Sequence, residues 1–126
     1  MAHEHWKSEP EAHDFPAAAS YLSLIVDPVV AEAIAEALRT APTTTYKAKD
    51  LLRASALALL AKENAHVSAD LAKVRAAEQL SPVLLVRGDA ARALPLVVAD
   101  GYHRICASYH LDENADIPCR IAEWPS

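Results

Sequence analysis

The stretch Leu96-Val97-Val98-Ala99-Asp100-Gly101-Tyr102-His103-Arg104-Ile105-Cys106-Ala107 changes character at its middle. Its first part is a short apolar run typical of a buried strand, and Asp100-Gly101 breaks that run. Beyond the break, apolar residues recur at the spacing of one helix face, at Tyr102, Ile105, Cys106 and Tyr109. The stretch therefore predicts a strand that turns directly into a helix at Gly101.

The predicted turn at Gly101 has the properties of an anion-binding site. Glycine permits backbone conformations closed to other residues and lets a ligand approach the main chain. The free N–H groups in the first turn of a helix carry partial positive charge, and phosphate often occupies such a terminus. His103 and Arg104 fall in that turn but off the apolar face, so both are expected to reach a ligand. The competing interpretation is a plain turn, with Arg104 paired to Asp70 or Glu78.

Further strands are predicted around this turn. Val83-Leu84-Leu85-Val86 is a continuous apolar run, and Arg87-Gly88-Asp89 predicts a turn into a second strand over residues 94–99. A polar turn at residues 112–116 precedes Ile117-Pro118-Cys119-Arg120-Ile121, which can return as another strand. We therefore expect a hairpin or a close strand pair, joined by a later strand.

The residues before that sheet have a mainly helical pattern. Apolar spacing predicts a helix within residues 15–26 and a second helix that begins at Asp27-Pro28 and stops at Ala41-Pro42. A short extended segment and a third helix over residues 47–60 follow. A fourth helix is expected from Ser68, whose hydroxyl suits an N-cap.

These elements together predict the class of fold. We expect an α/β fold, more narrowly α+β, in which a small mixed sheet follows a mainly helical N-terminal half. Residues 1–14 are polar and are predicted to form a loose arm, and residues 15–126 a single domain. His3-Glu4-His5 offers metal-binding side chains, but short histidine-containing N-termini are usually solvated, so no metal site is expected.

The bulk properties narrow the class of function. A formal net charge of -5 argues against non-specific binding to nucleic acid or anionic lipid, which depends on many Lys and Arg contacts to phosphate. No membrane span or signal-peptide pattern is visible. Cys106 and Cys119 lack the spacing of a metal site, and both are predicted to be reduced and buried. We therefore expect a cytoplasmic protein.

Three segments, in order, resemble the ParB/sulfiredoxin superfamily. They are Leu80-Ser81-Pro82-Val83-Leu84-Leu85-Val86, the stretch over residues 96–107, and Ile117-Pro118-Cys119-Arg120-Ile121. Members of the superfamily share a strand, a second strand that ends in a Gly-x-(His/Arg)-Arg helix start, and a final Ile-Pro strand. The resemblance covers residues 66–122, which are predicted to be the core of the domain, and leaves residues 15–65 as a helical extension.

The resemblance implies a nucleotide at the turn, ATP as in sulfiredoxins and the related serine kinases or CTP as in partition proteins, with Mg²⁺ beside the triphosphate. The turn residues that would hold the phosphates are Gly101, Tyr102, His103 and Arg104. Members also place polar and basic residues of the preceding helix there, which in this chain are Ser68 and Lys73, with Asn64 or His66 added from the loop before that helix. Asp100 is a candidate metal ligand or catalytic base, although we expect it mainly to cap the following helix.

Departures from the family pattern narrow the expected activity. Sulfiredoxin chemistry needs a cysteine where this chain has Tyr102, so sulfinic acid reduction is not expected. The helix-turn-helix and dimerisation domain of the partition proteins have no counterpart in the sequence. The predicted function is phosphate or nucleotide binding, as a phosphotransferase or nucleoside triphosphatase. The alternative is a non-catalytic regulatory or antitoxin-like module whose helical N-terminal half binds a protein partner; nuclease activity is a weaker third option.

Overall fold

A computed structural model describes residues 4–125 of the chain. The helices of this range are α1 Asp14–Leu22, α2 Pro28–Thr40, α3 Ala48–Ser55, α4 Ala65–Arg75 and α5 Tyr102–Leu111. The strands are β1 His5–Trp6, β2 Thr44–Lys47, β3 Gln79–Leu80, β4 Val83–Val86, β5 Val97–Asp100 and β6 Asp116–Ala122, with a 3₁₀ turn at Ala90–Arg92. The fold is α+β, which confirms the predicted class.

The main sheet is mixed and has the strand order β2-β6-β4-β5. Strand β4 runs parallel to β6 and antiparallel to β5, while β2 runs antiparallel to β6. The predicted hairpin or close pair of the two apolar runs is therefore confirmed, although the second strand spans Val97–Asp100 rather than residues 94–99. Strand β6 lies between β2 and β4, so the last strand in sequence order is internal to the sheet.

Helices cover both faces of this sheet. Alternate side chains of a strand point to opposite faces, and Leu84 and Val86 pack with residues of α1 and α2. Val83 and Leu85 face the other way, into a cluster with residues of α3, α4 and α5. Because both faces are buried, β4 is a continuous apolar run rather than an alternating one.

The ends of α2 are both closed by side chains. The Asp27 carboxylate accepts a hydrogen bond from the Val29 amide at 2.9 Å, which confirms the predicted N-terminal cap. At the other end, the Arg120 guanidinium donates to the carbonyls of Leu38 and Arg39 at 3.2 and 2.7 Å. Since helix C-terminal carbonyls carry partial negative charge, the buried cation of β6 holds α2 against the sheet.

The N-terminal arm is held to the rest of the protein over its described part. Strand β1 pairs in parallel with β3, and the Trp6 side chain packs against the cluster beneath α3, α4 and α5. The buried Ser108 hydroxyl hydrogen-bonds the Glu4 carboxylate. The expectation of a loose arm does not describe these residues, because Trp6 buries apolar surface that the polar composition around it concealed. His3 lies outside the described residues.

Two predicted helix boundaries were wrong. Helix α3 ends at Ser55 rather than at residue 60, because Ala56 adopts a left-handed conformation with φ of 57°. Ser68 lies inside α4, and the N-cap of that helix is Asn64, whose side chain accepts from the amides of His66 and Val67. Both errors concern residues 56–64 between α3 and α4, where helix ends depend on backbone angles that residue type alone does not reveal.

Candidate functional site

The turn between β5 and α5 requires glycine at position 101. Gly101 has a φ of 110°, a conformation that side chains with a Cβ atom rarely adopt. A Cβ atom there would also lie 2.5 Å from Cγ1 of Val83 and 2.8 Å from Nη2 of Arg104. The absence of a side chain therefore permits both the sharp turn and the close approach of β4 and Arg104.

The N-terminus of α5 carries no side-chain cap within residues 4–125. The prediction that Asp100 caps this helix was wrong, since its Oδ2 atom instead accepts a hydrogen bond from Nη2 of Arg104 at 2.9 Å. Arg104 thus forms an ion pair, but with Asp100 rather than with Asp70 or Glu78. The positive end of the α5 dipole is therefore not neutralised by a capping carboxylate.

A cavity of about 230 Å³ opens at this helix end, and we call it the α5 cavity. Its lining residues come from α4 and from the β5–α5 turn: His66, Ala69, Asp70, Lys73, Asp100, Gly101, His103 and Arg104. His66, Asp70 and Lys73 are separated by four and three residues along α4, so they share one face of that helix. The two helices together direct two histidines, a lysine and an arginine to one site.

The two histidine rings of the α5 cavity lie close together. The centroids of His66 and His103 are 4.6 Å apart, and the rings are inclined by 40°. Burial, reinforced by His66 and Arg104, lowers the pKa of His103 from its ordinary value of 6.5. His103 is therefore mainly neutral at neutral pH, and a bound anion would draw a proton to it.

Two carboxyl groups of the α5 cavity have raised pKa values. Burial raises the pKa of Asp70, although Lys73 and Arg104 act against the shift. Burial also raises the pKa of Asp100 against the influence of Arg104, and the nearby Asp14 carboxyl adds to the increase. The cavity therefore combines basic groups with carboxylic acids that part with protons less readily than usual.

The hydrogen-bond donors of the Arg104 guanidinium are only partly paired within the protein. Its side chain is 16% exposed, and Nη2 bonds Asp100. Its Nε atom is buried and has no hydrogen-bond partner within the described residues. Buried polar atoms nearly always have partners, so a donor left over beside a cavity indicates hydrogen-bonding capacity that is not used internally.

Three of the residues predicted for the site lie away from the α5 cavity. Asn64 caps α4, and Ser68 is exposed on α4 off the face shared by His66, Asp70 and Lys73. The Tyr102 hydroxyl donates to the Ala58 carbonyl, which ties α5 to the loop after α3. Only the backbone amide of Tyr102 remains at the helix terminus.

Two nearby carboxyl groups were not assigned to the ligand site by the sequence analysis, which named Asp70 only as a possible partner of Arg104 and did not consider Asp14. Asp70 follows His66 by four residues and precedes Lys73 by three, and that helical spacing could have identified it. Asp14 is 2% exposed at the start of α1 and influences Asp100 from there. No local signal marks Asp14, because its position depends on how α1 packs against β5.

The described residues, those of the α5 cavity included, contain no group of three or more His, Cys, Asp or Glu side chains arranged to hold a metal ion. No helix among them is long and apolar enough to cross a lipid bilayer. Cys106 and Cys119 are buried and unpaired, as predicted.

The fold and the site define an α+β protein with a small polar cavity at an uncapped helix N-terminus. In comparisons with known proteins, no family model, no curated protein and no solved structure matches this chain.

Proposed function

We propose that the chain is a ParB/sulfiredoxin-type domain that binds a nucleotide through its phosphates at the start of α5. One observation carries the proposal: Lys73, His66, His103 and Arg104 converge on a cavity at the uncapped positive end of a helix. Helix termini and basic side chains favour the same ligand, a multiply charged anion. The resemblance of three sequence segments to the ParB/sulfiredoxin superfamily supports a nucleotide as the phosphate compound that binds.

The size of the α5 cavity suggests which part of a nucleotide it holds. Cavities that enclose a whole small molecule measure about 300–1,000 Å³, and this one measures about 230 Å³. We infer that phosphoryl groups enter the cavity while the sugar and base lie across its rim. His66, exposed at the start of α4, is the side chain best situated to meet that outer part.

ATP or CTP with Mg²⁺ is the ligand that we propose, and phosphotransfer or triphosphate hydrolysis in the cytoplasm is the corresponding activity. Mg²⁺ is usually held by one or two carboxylates together with substrate phosphates. The carboxylate of Asp100 is engaged by Arg104, so Asp70 fits a metal-binding or proton-accepting role better than the Asp100 expected from the sequence. A raised pKa brings Asp70 closer to the range of a useful general base.

The test compares two variants from the same turn of α4, one at a lysine and one at an arginine. Lys73 lines the cavity, whereas Arg75 is an exposed cation two residues later that does not. Isothermal titration with ATP, CTP, GTP and tripolyphosphate, each with and without Mg²⁺, is measured on wild type, Lys73→Ala and Arg75→Ala. We expect at least one nucleotide to bind, and Lys73→Ala to weaken it about 10–100-fold by loss of a charge-assisted contact. Arg75→Ala should stay within about threefold of wild type.

The result that would overturn the proposal is equally specific. If no nucleotide binds to the folded wild-type protein, or if both variants weaken binding equally, the α5 cavity is not the phosphate site. If tripolyphosphate binds as strongly as every nucleotide, the cavity is an anion site that does not recognise the nucleoside.

A second candidate function is favoured by the turn between α1 and α2. Four large apolar side chains within nine residues are exposed there: Tyr21, Leu24, Ile25 and Val29. Leu24 is 82% exposed, and clustered apolar side chains on a surface commonly mark a protein interface. A partner that co-purifies with wild type and Lys73→Ala but not with Leu24→Ser would support the regulatory or antitoxin-like module.

A further inference from the structure

A larger cavity lies at the other end of strands β4 and β5, and we call it the loop cavity. It measures about 860 Å³ and is bounded by the sheet, by α3 and by the loop over residues 88–96. Ile121 lines it from the sheet, and Leu94 and Leu96 line it from the loop. Its volume lies within the range of about 300–1,000 Å³ that encloses a small organic ligand.

The loop that forms one wall of this cavity is closed and fastened. Asp89 and Leu94 exchange two backbone hydrogen bonds of 2.8 and 2.9 Å, and the Leu96 amide donates to the Ala54 carbonyl of α3 at 3.0 Å. At the base of the loop, a Cβ atom on Gly88 would lie 2.6 Å from the Leu96 nitrogen. The loop is therefore tightly packed against itself and against α3, so the wall of the cavity is preformed.

Two residues with left-handed backbone conformation line the loop cavity. Among the described residues, the non-glycine residues with positive φ are Ala56, Ala77 and Ala93. Ala56 and Ala93 both line the loop cavity, each with a φ of 57°. Both residues are C-terminal caps, Ala56 of α3 and Ala93 of the 3₁₀ turn, so these two helix ends fix the shape of the cavity wall.

The charges at the rim leave a negative excess. Arg87, the cation that lines the cavity within residues 4–125, is already paired with Glu123 at 2.7 Å. Asp50 and Asp89 also line the cavity. The ion-pair partner of Asp50 is Arg53, 3.8 Å away and 81% exposed on its side chain, which makes a weak pair. An incoming cation would therefore meet carboxylate oxygens that no buried protein cation neutralises.

We propose that the loop cavity binds a small organic cation, a molecule with a compact apolar body and one ammonium group. The apolar body lies against Ile121, Leu94 and Leu96, and the ammonium group lies at the rim beside Asp50 and Asp89. Apolar walls supply the affinity and a few polar groups fix the orientation, as is general for small-molecule sites. The site is independent of the nucleotide site proposed above and lies at the opposite end of β4.

Three probes of equal length and different charge test the proposal: 4-phenylbutylamine, 4-phenylbutanol and 4-phenylbutyrate. Each is titrated into the ¹⁵N-labelled protein, and amide shifts are followed. We expect the amine to bind most tightly, with shifts concentrated in residues 88–96 and in α3. Asp50→Asn should weaken the amine at least threefold and leave the alcohol unchanged, whereas Glu63→Gln, an exposed carboxylate outside the cavity, should change neither.

A cavity-filling pair of variants tests the location. Ala54→Leu places a larger side chain in the cavity, and Ala72→Leu makes the same change on the exposed side of α4. We expect Ala54→Leu alone to abolish binding of the amine. Equal binding of all three probes, tighter binding of the carboxylate, or no amide shifts in residues 88–96 at saturating amine would each overturn the proposal.

Discussion

Two arginines on opposite faces of the sheet have contrasting surroundings. Arg120 of β6 is 8% exposed and donates to three oxygens, the carbonyls of Leu38 and Arg39 and the hydroxyl of Thr43. Arg104 of α5 has Asp100 as its hydrogen-bond partner, and its Nε atom has none within residues 4–125. The first guanidinium is satisfied by the protein and holds two elements together, whereas the second retains donor capacity beside a cavity.

The same contrast applies to the helix ends beside these residues. The negative C-terminal end of α2 is neutralised by Arg120, and its N-terminus is capped by Asp27. The positive N-terminal end of α5 carries no side-chain cap in the described structure, although Asp100 is one residue away and carries the appropriate charge. Helices α1 and α3 also begin without a side-chain cap, so the open end of α5 is distinguished by the cavity and the basic side chains beside it.

The largest expected effect is that of Gly101→Ala. The added methyl group would approach Val83 and Arg104 to 2.5 and 2.8 Å at a backbone position with positive φ. Strain and overpacking, each about 1–3 kcal/mol, should lower the free energy of unfolding by about 2–6 kcal/mol. Urea denaturation measures this loss. A change below about 0.5 kcal/mol would show that neither the positive φ of Gly101 nor the contacts with Val83 and Arg104 require glycine at this position.

The next effect compares the two arginines directly. Arg120→Met should lower the free energy of unfolding by about 3 kcal/mol, because it leaves buried carbonyls of Leu38 and Arg39 without donors. Arg104→Met should cost less, about 1.5–2 kcal/mol, since one charge-assisted hydrogen bond to Asp100 is lost. Arg104→Met should nevertheless abolish nucleotide binding, while Arg120→Met should retain it at temperatures where that variant is folded. Equal losses of stability would contradict the comparison.

The pH dependence of nucleotide binding gives a smaller effect. The pKa of His103 is lowered from 6.5 in the free protein, and a bound phosphate would raise it again. Affinity should therefore increase as pH falls through the pKa of the bound form and level off below that of the free form. One linked proton limits the slope to about tenfold per pH unit.

The variant that isolates this proton is His103→Gln. His103→Gln should flatten the slope relative to wild type, and the comparison cancels titration of the nucleotide itself. The other charged or titratable groups that face the cavity are Asp70, Asp100, Lys73, Arg104 and His66. The pKa of Asp70 is raised, and protonation of its carboxylate at lower pH removes a negative charge that would repel the phosphates. A slope unchanged by His103→Gln would place the linked proton elsewhere.

The smallest effect is expected from Thr43→Val. The Thr43 hydroxyl accepts from Nε of Arg120 at 3.2 Å, so this substitution leaves a donor unpaired as in Arg104. The free energy of unfolding should fall by about 1 kcal/mol, the net value of one such hydrogen bond. Thermal and urea denaturation of Thr43→Val against Thr45→Val, a neighbouring exposed strand residue, measure the difference. No difference between the two variants would mean that the bond contributes nothing to holding α2.

Much of the fold could be predicted from local pattern. The apolar run of β4, the Asp27-Pro28 helix start and the break at Gly101 each have a cause within a few residues, and each prediction is confirmed. The apolar face of α5 likewise follows from spacing alone. The ParB/sulfiredoxin resemblance and the nucleotide stay predictions, since they depend on a short motif that the fold class does not test.

The remaining features depend on contacts between distant residues. The β1–β3 pair joins residues 74 positions apart in sequence, His5 with Gln79, so no window of sequence reveals it. Asn64 and Ser68 are equally good capping residues, and which of them starts α4 depends on backbone angles in the preceding loop. The pairing of Asp100 with Arg104 rather than with an α5 amide is also a tertiary outcome, because burial next to Val83 brings the guanidinium close to the turn.

The internal position of β6 has a consequence for synthesis of the protein. Strands β2 and β4 have no contact as neighbours in the sheet, and each pairs with β6 over residues 116–122. While a ribosome is still translating that segment, β2 lacks its partner and α2 lacks the arginine that secures its final turn. Nascent chains should therefore stay susceptible to proteases and chaperones until β6 emerges, after which the sheet closes in one cooperative step.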